Sequence, residues 1–450
     1  MREKCNFQRS LFEQYADHEI GWELQGMSDW LDGHREVLER VERDLKTREV
    51  AETGRKGMSV ESVLRCALLK QYRQLTYDEL VFCLIDSTSC QTFARLTEGW
   101  TPKKTALQQA ISVISEETWE AINQLLVESA RSNRIERGEQ IRIDSTVTEA
   151  TIHEPSDSSL LWDGVRTLNR LLNAAEELGD GAIPIVYRNH RRAAKKRMQA
   201  IQYTRGAEKK VRLYRELIEL TEKTLGYVEE VDRVLRGAPC GFSPAFAAWS
   251  AEVAHYRLLI ERVIDQTRRR VLNGEKVPAS EKLFSLFEEH PDILVKGRRE
   301  IQYGHKLNLS TGRSGLILEV VIEEGNPADS DRFVPMLDRH IATYGKAPRQ
   351  MAADGGYASL QNLQDAKERQ VKDVVFHKKR GLKIEEMAKS PWVYRKLRNF
   401  RAGIEAGISC LKRAYGLARC TWKGLSHFKS YVWSSVVAHN MALLGRLAAT

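Results

Sequence analysis

Hydrophobic residues along this 450-residue chain keep a helical spacing to about residue 135, then break to a two-residue alternation. The helical spacing returns from Leu160 to about Glu289, and beyond Ile301 the two periods mix. In the first region, Val60, Val63, Leu64, Ala67 and Leu68 follow Ser59, a residue that caps helices, and predict a helix to Tyr72. A break at Gln74-Leu75-Thr76 leads to a second helix carrying Leu80, Val81 and Leu84, and Thr105–Ala130 predicts a third. Helix, short turn, helix is compatible with a helix-turn-helix reader of DNA and equally with a plain helical bundle. Ile141-Arg142-Ile143-Asp144-Ser145-Thr146-Val147 alternates and is rich in β-branched residues, so it predicts a strand. Further strands are expected at Lys306–Ser310 and Leu316–Glu323, around a glycine-bounded loop, and at Arg349–Asp354 and Asp373–His377. Helices are expected after Asp329 or Ser330, over Leu360–Arg369, over Arg395–Tyr415 and over Ser426–Leu447. Without the central helical block the order is β-β-β-α-β-α-β-α, an α+β fold with a mixed sheet covered by helices.

Seven cysteines without a C-x-x-C pair indicate neither a disulfide framework nor a tetrahedral zinc site, and suit a reducing cytosol. The first residues, MREKCNFQRS, lack the apolar run of a signal peptide. The uncharged stretch Ser430–Gly445 falls short of the roughly 20 apolar residues a membrane span needs. A soluble, cytoplasmic protein without a membrane partner is expected. The net charge of +9 is uninformative as a sum but not in its placement. His377–Lys423 holds 13 Lys and Arg against Glu385, Glu386 and Glu405, a net +10, so the rest of the chain is about neutral. Val186–Arg236 is a milder basic stretch.

Three acids stand out. Asp144 is in mid-strand, where a buried carboxylate is costly unless it meets a cation or donors. Asp354 ends a strand directly before Gly355-Gly356-Tyr357, where the glycines permit close approach. Glu405 lies in RKLRNFRAGIEAGISCLKRAYG, where Ile404, Ile408, Leu411 and Tyr415 make an apolar stripe and Arg398, Arg401, Glu405 and Lys412 an adjacent polar one. Acids far apart in sequence can meet in a two-metal site, in which ions about 3.5–4 Å apart need hard oxygen ligands. The bland alternatives are that Asp144 caps a turn with Ser145 and Thr146 and that Glu405 merely pairs with Arg401 one helical turn away. His153 and Asp157, just beyond the first strand, are lesser candidates that a loop turn explains equally well.

IRIDSTVTEA, MAADGGYAS and NFRAGIEAGISCLKRAYGLAR resemble the three catalytic segments of DDE transposases of bacterial insertion sequences. Arg401, Glu405 and Lys412 are spaced as in the Arg–Glu–Lys part of that group's signature; its preceding Tyr is Arg398 here. MSVESVLRCALLKQYRQLTYDEL resembles the family's helical N-terminal domain. The resemblance implies a ribonuclease H-like core, Mg²⁺ (or Mn²⁺ in its place), and Asp144, Asp354 and Glu405 as catalytic metal ligands. It implies nicking of transposon ends and joining of the 3′-OH to target DNA. The partners implied are double-stranded DNA, as terminal inverted repeats and target, and a second copy of the chain when two ends are paired, all on the bacterial nucleoid. The domains expected are a helical DNA-binding region at 1–135, the first part of the core at 136–159, an α-helical insertion at 160–298 and the second part of the core at 299–450. Phosphate contacts are expected from Arg401, Lys412, Lys378, Lys379, Arg380 and Arg398, where bases interleave with aromatics, and secondarily from His305 and Lys306. Two rivals stay open: a DNA-binding regulator or inactive relative without chemistry, and a related nuclease that cleaves without strand transfer.

Overall fold

The computed structural model describes residue 4 and residues 15–47, 57–96, 100–180, 183–296 and 300–448. It divides into two compact units, Met1–Thr151 with Leu294–Thr450, and Ile152–Ile293.

Among the described residues the first unit opens with seven helices: α1 (Glu19–Gly33), α2 (Val37–Lys46), α3 (Val60–Tyr72), α4 (Tyr77–Asp86), α5 (Thr88–Ala94), α6 (Lys104–Ile111) and α7 (Glu116–Ser132). Side-chain caps set their starts. Ser59 accepts the Ser62 N–H ahead of α3, and Thr76 and Glu79 form a reciprocal capping box ahead of α4. The single helix expected over 105–130 is two, because Ser115 caps α7 by accepting the Thr118 N–H while its own N–H donates to Asp44 Oδ2 at 2.8 Å. Every residue of α3 is buried, so it has no free face for a DNA groove, and the exposed side of α4 carries Asp78, Glu79 and Asp86. This geometry suits a helical bundle rather than a helix-turn-helix reader.

The strand β1 (Gln140–Glu149) follows α7. After the second unit the chain returns through β2 (Asp292–Lys296), β3 (Glu300–Thr311), β4 (Ile317–Ile322), α12 (Asp329–Tyr344), β5 (Gln350–Ala353), α13 (Leu360–Glu368) and β6 (Asp373–Phe376). Three helices complete it: α14 (Ile384–Met387), α15 (Pro391–Ala414) and α16 (Leu425–Ala448). The sheet is mixed, in the order β2-β3-β1-β5-β6 with β4 also on β3. β3 runs antiparallel to β1 and β4, whereas β1, β5 and β6 are parallel. Helix α15 packs on β1, β5 and β6, while α1, α3 and α7 pack on α16. At one point of that last packing a Cβ on Gly26 would lie 2.8 Å from Gly445 Cα, so the two backbones nearly touch.

The alternation in β1 changes phase midway. Ile141 and Ile143 are buried, but beyond Asp144 the buried residues are Thr146 and Thr148 rather than Val147. Cover passes from one face of the sheet to the other at Asp144 and Ser145, and neither is fully buried there.

The second unit is helical over most of its length, with α8 (Asp157–Leu178), α9 (Arg191–Tyr203), α10 (Ala207–Arg236) and α11 (Pro244–Thr267). It has its own core, centred on residues such as Leu168, Leu171, Leu217, Val228, Ile260 and Val263. His153 and Asp157 are occupied within it. His153 Nε2 lies 3.4 Å from Asp163, and Asp157 takes both Arg270 and Gln266. No helix among the described residues is long and apolar enough to cross a membrane.

Candidate active site

Register brings two of the acids together. Ile143 pairs with Ala353 as the last matched residues of the parallel β1 and β5. One step beyond that pair are Asp144, still within β1, and Asp354, just past the end of β5, side by side. Asp354 caps the turn that follows, accepting the Gly356 N–H at 3.4 Å. The glycines are needed there: a Cβ on Gly355 would lie 2.7 Å from the Lys378 side chain, and one on Gly356 2.5 Å from the Asp329 carboxylate.

Helix α15 supplies the third acid. It is tied to β1 by Arg142, whose guanidinium donates to Phe400 O at 2.6 Å and stacks on the Phe400 ring at 4.5 Å. Its buried row is Leu397, Arg401, Ile404 and Leu411, whereas Ile408 is half-exposed. Arg401 therefore belongs to the row facing the sheet, not to the polar stripe that spacing alone suggested. From there its Nη2 reaches Asp144 Oδ2 at 2.8 Å and Asp354 Oδ1 at 3.1 Å, and its Nη1 reaches Glu405 Oε1 at 2.5 Å. One guanidinium thus collects all three acids.

The three are solvated very differently. The Asp144 side chain is 14% exposed, that of Asp354 37% and that of Glu405 62%. Burial pushes the Asp144 carboxyl up to about 6, against the downward pull of Arg401 and of the Ser145 N–H, which donates to it at 2.8 Å. The condition stated for a mid-strand carboxylate, a cation plus a donor, is met. The donor set is three carboxylates converging on one cationic centre, which fits a hard divalent cation in chemistry. As placed, their shared counter-charge is Arg401, and among the described residues no trio of His, Cys, Asp or Glu is arranged to hold a metal ion.

A polar chain beneath the acids was not visible in the sequence. The buried Tyr357 hydroxyl donates to Asn308 Oδ1 at 2.6 Å, Asn308 Nδ2 donates to Glu323 Oε1 at 2.8 Å, and Arg332 pairs with Glu323 at 2.7 Å. Only the aromatic residue directly after the glycine pair hinted at it. The expected phosphate contacts divide. Lys378, Lys379, Arg380 and Arg398 are exposed and Lys412 is half-exposed. Arg401 is buried and taken up by the acids. His305 and Lys306 turn inward: the His305 ring meets Glu323 O and the Phe428 ring, and the Lys306 ammonium is held by Asp329 and Pro327 O. As placed, those two serve the fold rather than a ligand.

No curated protein and no solved structure matches the chain. Residues 296–441, about a third of the chain, match the family model described as the transposase DDE domain, a span that includes Asp354 and Glu405 and leaves Asp144 outside. The two strands and the helix that carry the acids are thus built around one centre, and the part of the chain that bears two of those acids is similar to the transposase DDE domain.

Proposed function

We propose that the chain is an insertion-sequence transposase that binds terminal inverted repeats, nicks DNA at the element's ends and joins the freed 3′-OH to target DNA. The observation that carries this reading is the convergence of Asp144, Asp354 and Glu405 on one point, from two parallel strands and a helix, in a chain with a DDE domain. The strand order and directions support a ribonuclease H-like core, with the helical block inserted between its first two strands. Asp144, Asp354 and Glu405 would hold Mg²⁺, or Mn²⁺ in its place. Bound there, such an ion supplies Lewis-acid activation of the attacking water or 3′-OH and stabilisation of the leaving oxygen.

The chain's own groups do the rest. The parallel strands fix Asp144 beside Asp354, and Arg142 anchors the helix that presents Glu405. Lys378, Lys379, Arg380 and Arg398 stand exposed near these acids in the sequence and suit the phosphate backbone, each phosphate they neutralise making affinity more salt-dependent. A homodimer would pair the two ends, on the nucleoid in the bacterial cytoplasm.

The test is cleavage and joining of DNA that carries the element's ends, with Mg²⁺, by the wild type and by Asp144→Ala, Asp354→Ala and Glu405→Ala. The wild type is expected to give nicked and joined products and the three variants neither. Cleavage that survives in all three variants removes the acids from the chemistry, and cleavage without joining replaces the transposase reading with a nuclease.

A further inference from the structure

Within the first unit a second cavity, of about 720 Å³, opens between the α3–α4 corner and the chain from Lys412 to Tyr431. Lys70, Lys412, Arg419 and Lys423 line it, and no Asp or Glu does. Lys70 is the unusual one. It is 6% exposed, and among the described residues its ammonium has neither an ion-pair partner nor a hydrogen-bond acceptor. It meets instead the rings of Tyr77, at 4.9 Å, and Trp422, at 5.9 Å. Glu79, the acid that acts on it electrostatically, is held in its capping box, with its carboxylate 2.7 Å from the Thr76 N–H. Burial pulls the Lys70 ammonium down to about 8, against the opposing influence of Cys420 and Glu79.

Trp422, in the same lining, carries a second orphan: its indole N–H is buried without an acceptor. An ammonium that lines a cavity with three further cations and no acid is suited by an anion with several acceptor oxygens. The cavity is far larger than inorganic phosphate requires, and two of its walls are aromatic, which suits a planar ring beside the anionic group.

We propose that this cavity binds a nucleoside phosphate, its phosphate received by Lys70 and the neighbouring cations of the lining, and its base by the aromatic walls. The nucleotide is either free or part of a DNA strand; the second case rests on the transposase reading, since Lys412 lies two turns beyond Glu405 on α15.

Binding of dAMP, inorganic phosphate and a short single-stranded oligonucleotide to the full-length chain tests this by calorimetry, without metal. The wild type is expected to bind dAMP more tightly than phosphate. Lys70→Met, which removes the charge and keeps the length, is expected to weaken dAMP binding by about tenfold or more while melting no lower than the wild type. Trp422→Phe should weaken it by a smaller factor, and decides the matter if the Lys70 variant does not fold. An oligonucleotide that binds more tightly than dAMP and loses affinity in the same variants identifies the strand as the source; one that binds no better identifies the free nucleotide. Unchanged dAMP and oligonucleotide affinity in the variants, or phosphate binding as tight as dAMP, overturns the proposal. Because no cleavage is measured, this result and the fate of the Asp144, Asp354 and Glu405 variants are independent.

Discussion

Replacing Asp144 by Asn should make the protein more stable at neutral pH, and by an amount that depends on pH in a defined way. The folded carboxyl titrates at about 6 against an ordinary value of 3.8. At about 1.4 kcal/mol per pH unit of separation, the ionised form costs the fold about 3 kcal/mol. That figure already contains the favourable interactions with Arg401 and Ser145, because they act on the same carboxyl. The sign follows from linkage. Between pH 3.8 and about 6 the unfolded chain has released this proton and the folded one has kept it, so stability falls as pH rises through that window. Asn mimics the protonated acid in size and can still accept the Ser145 N–H, so it escapes the cost. Denaturant unfolding of the wild type and Asp144→Asn, in chelating buffer at several pH values from about 4 to about 8, reads the difference in the transition of the sheet-bearing unit. It should be near zero at about pH 4, open between about pH 4 and 6, and level off at about 3 kcal/mol in favour of the variant. A gap of constant size across the range, or a variant less stable than the wild type at about pH 7.5, would refute the view that burial dominates at Asp144.

Arg401→Met should act in the opposite direction, lowering stability at about pH 7.5 by about 3 kcal/mol, the low end for a broken buried pair because Asp354 and Glu405 are solvated. In the Asp144→Asn background the same change should cost at least about 1 kcal/mol less, and additivity in that double-mutant cycle would contradict a shared centre. On the DNA side, replacing Lys378, Lys379 and Arg380 together by Ala should flatten the log–log dependence of duplex affinity on salt by about 0.9 for each phosphate that is no longer neutralised. An unchanged slope, measured by fluorescence anisotropy from low to moderate salt, would take those residues off the DNA.

Much of this was legible because strands and helices leave different periods. The hairpin expected around Thr311–Gly315, the strand ending at Asp354 and the long helix carrying Glu405 are where their patterns put them. What escaped depended on tertiary cover. The break between α6 and α7 is made by Ser115, whose N–H is taken by Asp44 from another helix, and nothing near Ser115 in sequence announces that. Arg401 looked like a surface cation because its side chain is charged, but its place in the row of Leu397, Ile404 and Leu411 is fixed by which face of α15 meets the sheet. The change of buried face in β1 at Asp144 has the same origin, since a strand pattern records alternation but not which layer covers each face. Lys70 escaped for the complementary reason: a lysine near the end of a helix gives no sign in sequence that the whole of α3 is buried.

The basic segment His377–Lys423 therefore does not act as one charged surface. Its net +10 divides by burial into cations with different physical duties. Arg401 is spent inside the fold, where it lets three carboxylates approach one another; without a cation at that point their mutual repulsion and the burial of Asp144 would work against the site. Lys378, Lys379, Arg380 and Arg398 remain exposed, where each charge is screened by salt and, on the proposed function, is available to a phosphate backbone. Lys412, Arg419 and Lys423 line, with the buried Lys70, a cavity whose walls hold no acid. The Lys70 ammonium there meets two aromatic rings but no acid, so an anion that enters the cavity would bind the folded chain and stabilise it. Charge counted along the sequence shows where cations concentrate, but only burial separates the one that holds the acids from those that face solvent.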